Sequence, residues 1–147
     1  MSVDIQLKKI EIKYMKEVID LLQYISDFKP NTFEHKLIFD SFSAQNDVTG
    51  YVAVFKENQY ANEKLVGFGS LHMTRRIRGG TIGFIEDVAV YENFRKKGIG
   101  KLIIKKLIDK ARKKQCFKVI LDCKEDRKLF YYKIGFRQNG CSMTLSL

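Results

Sequence analysis

Residues 84–108 read FIEDVAVYENFRKKGIGKLIIKKLI. The apolar run Phe84–Val90 is broken only by Glu86 and Asp87, and it predicts a strand. A basic corner, Arg95-Lys96-Lys97, then meets two glycines, Gly98 and Gly100. From Gly98 to Lys114 the apolar residues recur at helical spacing, with Leu102, Ile103, Leu107, Ile108 and Ala111 as the stripe. A helix that starts beside the end of a strand aims its first, unpaired amides at that end. Together with the helix dipole they favour an anion. Glycine keeps a Cβ out of the approach, and Arg95 and Lys96 add charge. The same glycines also suit a plain turn, so the corner by itself reads either as a turn or as an anion cradle.

The flanks complete a mixed sheet. Upstream, residues 14–22 have helical spacing at Val18, Leu21 and Leu22. PNTFEHKLIFDSF (30–42) predicts a second helix, capped by Asn31 or Thr32, with Phe33, Leu37 and Ile38 on one face. Tyr51–Phe55 and Lys64–Arg75 predict strands joined by the polar loop 58–63, and Gly79-Gly80 turns the chain before the quoted strand. Downstream, Phe117–Leu121 predicts a strand ending at Asp122, and residues 126–133 a short helix closed by Gly135. The tail from Phe136 to Leu147 alternates as an edge strand would. The predicted order is α, α, β, β, β, α, β, α, β: one α/β domain of the α+β type over 1–147, a mixed sheet flanked by helices. The strand–helix–strand unit 84–121 is expected to be parallel and right-handed.

Composition narrows the function. A chain of 147 residues can bury a core without staples, and no window reaches the length of a membrane span. The beginning of the chain lacks an apolar signal core, so a cytoplasmic protein is expected. Cys116, Cys123 and Cys141 have no metal-ligand spacing and are expected as reduced thiols. Two histidines, His35 and His72, give little to a zinc site or a catalytic triad, and no metal is expected. The 27 Lys+Arg exceed the 17 Asp+Glu to leave +10, a field that draws phosphorylated small molecules or nucleic acid. Lys101, Lys105, Lys106, Lys110, Arg112, Lys113 and Lys114 sit at helical spacing, which also fits a solvated helix face.

The quoted stretch resembles the acyl-coenzyme A-binding core of the GNAT acetyltransferase superfamily. That core carries a pyrophosphate loop R/Q-x-x-G-x-G/A, met here at every fixed position by Arg95 to Gly100. The resemblance is nearest to the eukaryotic glucosamine 6-phosphate N-acetyltransferase family. That family shares the strand Ile85-Glu86-Asp87-Val88, the segment Cys116 to Cys123 (CFKVILDC) and the helix end Phe130 to Phe136 (FYYKIGF). The match is strong from about residue 64 to 143. It departs at Arg127, where the family has asparagine, at Ser146, and in a shorter loop before Ile85.

The resemblance implies a homodimeric single-domain GNAT fold that moves acetyl from acetyl-CoA to an amino-sugar phosphate, without metal or membrane. It implies a coenzyme site of Val88, Ala89, Val90, Arg95, Lys96, Lys97, Gly98, Ile99, Gly100, Lys101 and Tyr131. The pantetheine arm would lie along Val88–Val90, with the Val88 amide at the thioester oxygen. Tyr131 stands where the family places the tyrosine that steadies the departing thiolate, although an aromatic at that spacing also suits a core. Asp122 and Glu86 are the candidate catalytic carboxylates. Arg76, Glu86, Asp87, Lys118 and Asp122 are expected to bind the acceptor, with Arg76 and Lys118 on its phosphate. Alternation puts Glu86 and Asp87 on opposite faces. Two other readings stand beside this one: a GNAT enzyme acting on a polyamine, an antibiotic or a protein amine, and a basic RNA-binding module on the same fold. Nothing but charge supports the latter.

Overall fold

The computed structural model describes residues 4–147. Five strands form one sheet in the order β1-β2-β3-β4-β5: β1 is Ile5–Lys9, β2 Val48–Phe55, β3 Lys64–Arg75, β4 Thr81–Val90 and β5 Lys118–Ile120. The first four are joined antiparallel and β5 pairs parallel to β4. Four α-helices flank the sheet: α1 Met15–Leu22, α2 His35–Ser43, α3 Ile99–Lys113 and α4 Lys128–Ile134.

Each face of the sheet has its own core. On one, Val52, Val54, Leu65 and Phe68 pack under Tyr14, Met15, Val18 and Leu21, with Phe39 and Phe42 of α2 against them. On the other, Ala53, Val66, Leu71 and Ile85 pack under α3. The α3 stripe differs from the expected one: Ile99, Ile103, Ile104, Leu107 and Ala111 are buried, while Leu102 is exposed. Close approach is made possible by Gly67 and Gly69, where a Cβ would stand 2.8 and 2.6 Å from Ile103. Glycine on β3 thus seats the helix directly on the sheet.

Three expectations need correction. The strand β1 was not expected, because IQLKK is short and half charged; its signal was the alternation of Ile5 and Leu7, which pack towards α3. It opens the observed order β, α, α, β, β, β, α, β, α. The tail 136–147 forms no strand, since it finds no ladder partner among the described residues and is largely exposed. Around α2 it is Phe39 and Phe42 that pack, half-buried, against the core, whereas Leu37 and Ile38 of the helix and Phe33 just before it are exposed. Its start is nevertheless as expected, a capping box in which the Asn31 amide donates to Glu34 Oε2 at 2.6 Å.

Far from the quoted stretch, Glu63 joins β1 to the first core. It accepts from Lys8 Nζ and, at 2.5 Å, from the Tyr14 hydroxyl. Those bonds, with Lys8 first, hold its carboxyl at about 2, well below the usual range.

Candidate active site

The ladder between β4 and β5 pairs Ile82 with Lys118, Gly83 with Val119 and Phe84 with Ile120, and then stops. β4 continues for six more residues, so its edge from Ile85 to Val90 lies open where the two strands part. On its other edge β4 bulges. Phe68 pairs with Ala89 and Ser70 with Glu86, leaving Asp87 and Val88 opposite the single Gly69. Asp87 takes φ +55°, a left-handed conformation that suits the extra residue of a bulge. The strict alternation along β4 is therefore interrupted: Ile85 and Val88, three apart, both face α3, and Ala89 faces α1. A single sequence shows the apolar run but not the inserted residue.

Beyond β4 the basic corner closes one end of this gap. Gly98 caps α3 at φ +80°, and the first helical bond runs from the Leu102 amide to the Gly98 carbonyl at 3.0 Å. The amides of Ile99, Gly100 and Lys101 thus lie in the unpaired first turn. Lys96 is also left-handed, at φ +63°. Such alternation curls successive backbone amides into a concave anion nest. The Ile99 side chain is core, so only its amide can serve the corner. Arg95 is partly committed: its Nε donates to the Val90 carbonyl at 3.0 Å and its guanidinium stacks 5.7 Å from the Tyr24 ring. Lys97 and Lys64 lie over Phe94 at 5.4 and 5.2 Å, while Lys96 and Lys101 are exposed.

α4 forms the opposite wall. A Cβ on Gly100 would come 3.5 Å from Phe130 and 3.9 Å from Val90, so this glycine marks where α3, α4 and β4 meet. Tyr131 is half-buried between Phe130 and Phe136, with ring centroids 4.9 and 5.8 Å away. Burial first, and Cys123 second, push its phenol up against the opposing effect of Arg127, so it is a neutral donor at pH 7. Along the free side of β5 runs a cavity of about 970 Å³, lined by Lys118, Asp122, Cys123, Tyr131 and the start of the tail. Three of the expected site residues therefore share one cavity.

Glu86 belongs to a separate group on the α2 face of β3 and β4. Its carboxylate Oε2 is 3.7 Å from His72 Nε2. The buried Ser70 Oγ stands 3.1 Å from that nitrogen and donates to the Glu86 carbonyl at 3.1 Å. Nothing in the sequence marks Ser70 or His72 as part of a site except their odd positions in an apolar strand. Arg76 lies near this group, its guanidinium 5.7 Å from the ring of Phe84, the β4 neighbour of His72. Its Nε is buried without a partner. Arg75 is instead paired with Asp47 at 3.5 Å. Lys118 stacks 5.7 Å from Phe117, which presses under the left-handed Gly80.

Comparison with known proteins agrees with this fold. The Acetyltransferase (GNAT) family profile matches residues 18–136. The chain belongs to the GNAT acetyltransferase family. The glucosamine 6-phosphate N-acetyltransferase of Trypanosoma brucei brucei is 34% identical over 148 residues, covering 99% of this chain and 97% of its own. A crystal structure of glucosamine-6-phosphate N-acetyltransferase from Arabidopsis thaliana superposes with TM-score 0.85 at 28% identity, over 97% of this chain and 98% of that one. A Trypanosoma brucei acetyltransferase structure gives TM-score 0.84 at 31% identity, over 98% and 100%. In this GNAT chain the parted strands, the bulge and the glycine corner therefore sit on the family's fold.

Proposed function

We propose that this GNAT domain, 1–147, transfers acetyl from acetyl-CoA to the amino group of glucosamine 6-phosphate, giving N-acetylglucosamine 6-phosphate and CoA. The observation that carries the reading is the open β4 edge, Ile85–Val90, running from the bulge to an anion nest at the start of α3. An extended pantetheine arm can add to such an edge as a strand would, with its pyrophosphate on the amides of Ile99, Gly100 and Lys101. The acceptor is supported by the relatives, which are glucosamine 6-phosphate N-acetyltransferases.

In this reading the roles divide as follows. The acceptor nitrogen attacks the thioester carbonyl; a C–N bond forms and the C–S bond breaks. The Val88 amide, in the bulge, steadies the tetrahedral oxyanion. Glu86 and Asp122 orient the ammonium and accept its proton, Asp87 binds alongside, and the neutral Tyr131 hydroxyl gives a proton to the departing thiolate. Arg76, with its unpartnered Nε, and Lys118 hold the 6-phosphate. Lys118 and Arg76 flank the Ile82–Phe84 part of β4, and Glu86 lies about 7 Å farther along the strand from Phe84. Phosphate and amine thus occupy two ends of one short track.

The protein acts as a cytoplasmic homodimer that feeds UDP-N-acetylglucosamine synthesis. Dimerisation is supported by the free side of β5 and by exposed apolar side chains: Phe117 beside β5, Leu129 on α4, and Met143, Leu145 and Leu147 in the tail. These are apolar groups on a part of the chain that finds no cover of its own.

A thiol-release assay on glucosamine 6-phosphate, glucosamine, spermidine and lysine peptides tests the reading. Glucosamine 6-phosphate is expected to have the highest kcat/KM, and Arg76→Ala to erode its advantage over glucosamine. Equal kcat/KM for the two sugars in the unaltered protein would overturn the acceptor. Equal losses on both sugars in Arg76→Ala would overturn the role of Arg76.

A further inference from the structure

We infer that His72 and Ser70 are positioning residues for the reaction, joined in a relay that aims the Glu86 carboxylate and pins the bulge from behind. This rests on the assignment of Glu86 to the acceptor amine. Ser70 is buried, and its single hydroxyl proton goes to the Glu86 carbonyl, the last carbonyl before the left-handed Asp87. Its oxygen can then only accept from His72, so Nε2 of the imidazole carries the proton. The same nitrogen lies 3.7 Å from Glu86 Oε2, a distance for electrostatic attraction rather than a second hydrogen bond. One imidazole nitrogen thus lies at once beside the Ser70 hydroxyl of its own strand, which is bound to the Glu86 main chain, and beside the Glu86 carboxylate of the next strand.

The ring cannot turn away freely. Phe42 of α2 meets it edge-on, with centroids 6.1 Å apart and planes at 81°. Among the described residues the Glu86 carboxylate has no other polar partner, and the side chain is 56% exposed. Without the imidazole it would sample many rotamers in water. With it, the carboxylate is biased towards one position while keeping an open oxygen for the ammonium. Ser70, on the other side, resists flattening of the bulge that puts two residues opposite Gly69. The relay therefore links the acceptor carboxylate to the strand segment that carries the Val88 amide.

The test is a double-mutant cycle of His72→Phe and Glu86→Gln, run on whichever amine the protein turns over fastest. His72→Phe is expected to lower kcat/KM for the amine by about fivefold or more, and to do little further in the Glu86→Gln background. Acetyl-CoA affinity by calorimetry should stay unchanged. His72→Gln, which keeps an N–H donor near Nε2, should recover most of the loss. Additive losses, or a His72→Gln protein as poor as His72→Phe, would overturn the relay. Should His72→Phe unfold at the assay temperature, Ser70→Ala takes its place in the cycle with the same two outcomes. Rejection of glucosamine 6-phosphate in favour of another amine would overturn the acceptor assignment and leave the coupling measurable.

Discussion

The Nε of Arg95 donates to the carbonyl of Val90 at 3.0 Å, tying the first residue of the basic corner to the end of the open strand. Arg95 thereby holds the anion nest at a set distance from the β4 edge. Its positive charge is only part of its value. Arg95→Ala is expected to weaken acetyl-CoA binding by about tenfold, and Arg95→Lys to restore little, because an ammonium cannot reproduce the side-on Nε bond with the fork left free. Calorimetry on both variants checks this; a Lys variant that binds like the unaltered protein would show that charge alone matters.

At Gly98 the obstacle is conformation. A Cβ there meets nothing within 4 Å, but φ is +80°. Asparagine tolerates that region whereas valine does not. Gly98→Asn is therefore expected to keep Tm within a few degrees while placing a side chain in the approach to the first-turn amides. Acetyl-CoA affinity should fall by about tenfold or more. Unchanged affinity in a folded Gly98→Asn protein would remove this corner from the coenzyme site.

Tyr131 is raised by burial, so at neutral pH it is a full donor. Tyr131→Phe keeps the ring between Phe130 and Phe136 and removes only the hydroxyl. A fall in kcat of about 10–1000-fold with near-normal acetyl-CoA affinity is expected. Steady-state kinetics with a single-turnover control decides it, and an unchanged chemical step would leave Tyr131 a packing aromatic.

Glu63 makes stability fall on the acid side. Its carboxyl is held at about 2, below its ordinary 4.5, chiefly by Lys8 and then by Tyr14. A depressed carboxyl stabilises the fold above its unfolded value, and the effect is lost as pH falls from about 4.5 towards 2. Glu63→Gln is expected to cost about 2 kcal/mol at pH 7 and to flatten this acid limb. Denaturant melts at pH 7, 4 and 2.5 measure the difference; an equal loss at all three would assign the cost to packing.

Much of the architecture was legible because local pattern and tertiary demand agree. The α1 face, the Asn31 cap, the β3 and β4 runs and the glycine stop of α4 all arise from interactions within a few residues. So does the basic corner: Gly98 at a helix start needs no distant partner to take a left-handed turn. The motifs from Ile85 to Phe136 therefore pointed directly to the fold and to a glycine corner at the start of α3. Two elements escaped for the opposite reason. β1 is a strand only because β2 offers it a ladder, and the tail is not one because none of the described residues does. The outward turn of Phe33 and Leu37 likewise depends on where α2 meets the first core.

The amino-acid sequence by itself determined the residues available for acetyl transfer and their order along the chain. Only the tertiary structure decided which of them meet. The bulge at Asp87 puts Ile85 and Val88 on one face, and the short ladder of β5 opens the β4 edge beside it. Ser70 and His72 come beside Glu86 through the β3–β4 register, sixteen and fourteen residues away in the chain. Such placements are set by pairing between distant strands. A one-residue insertion there turns every later side chain over without leaving a mark in the local pattern.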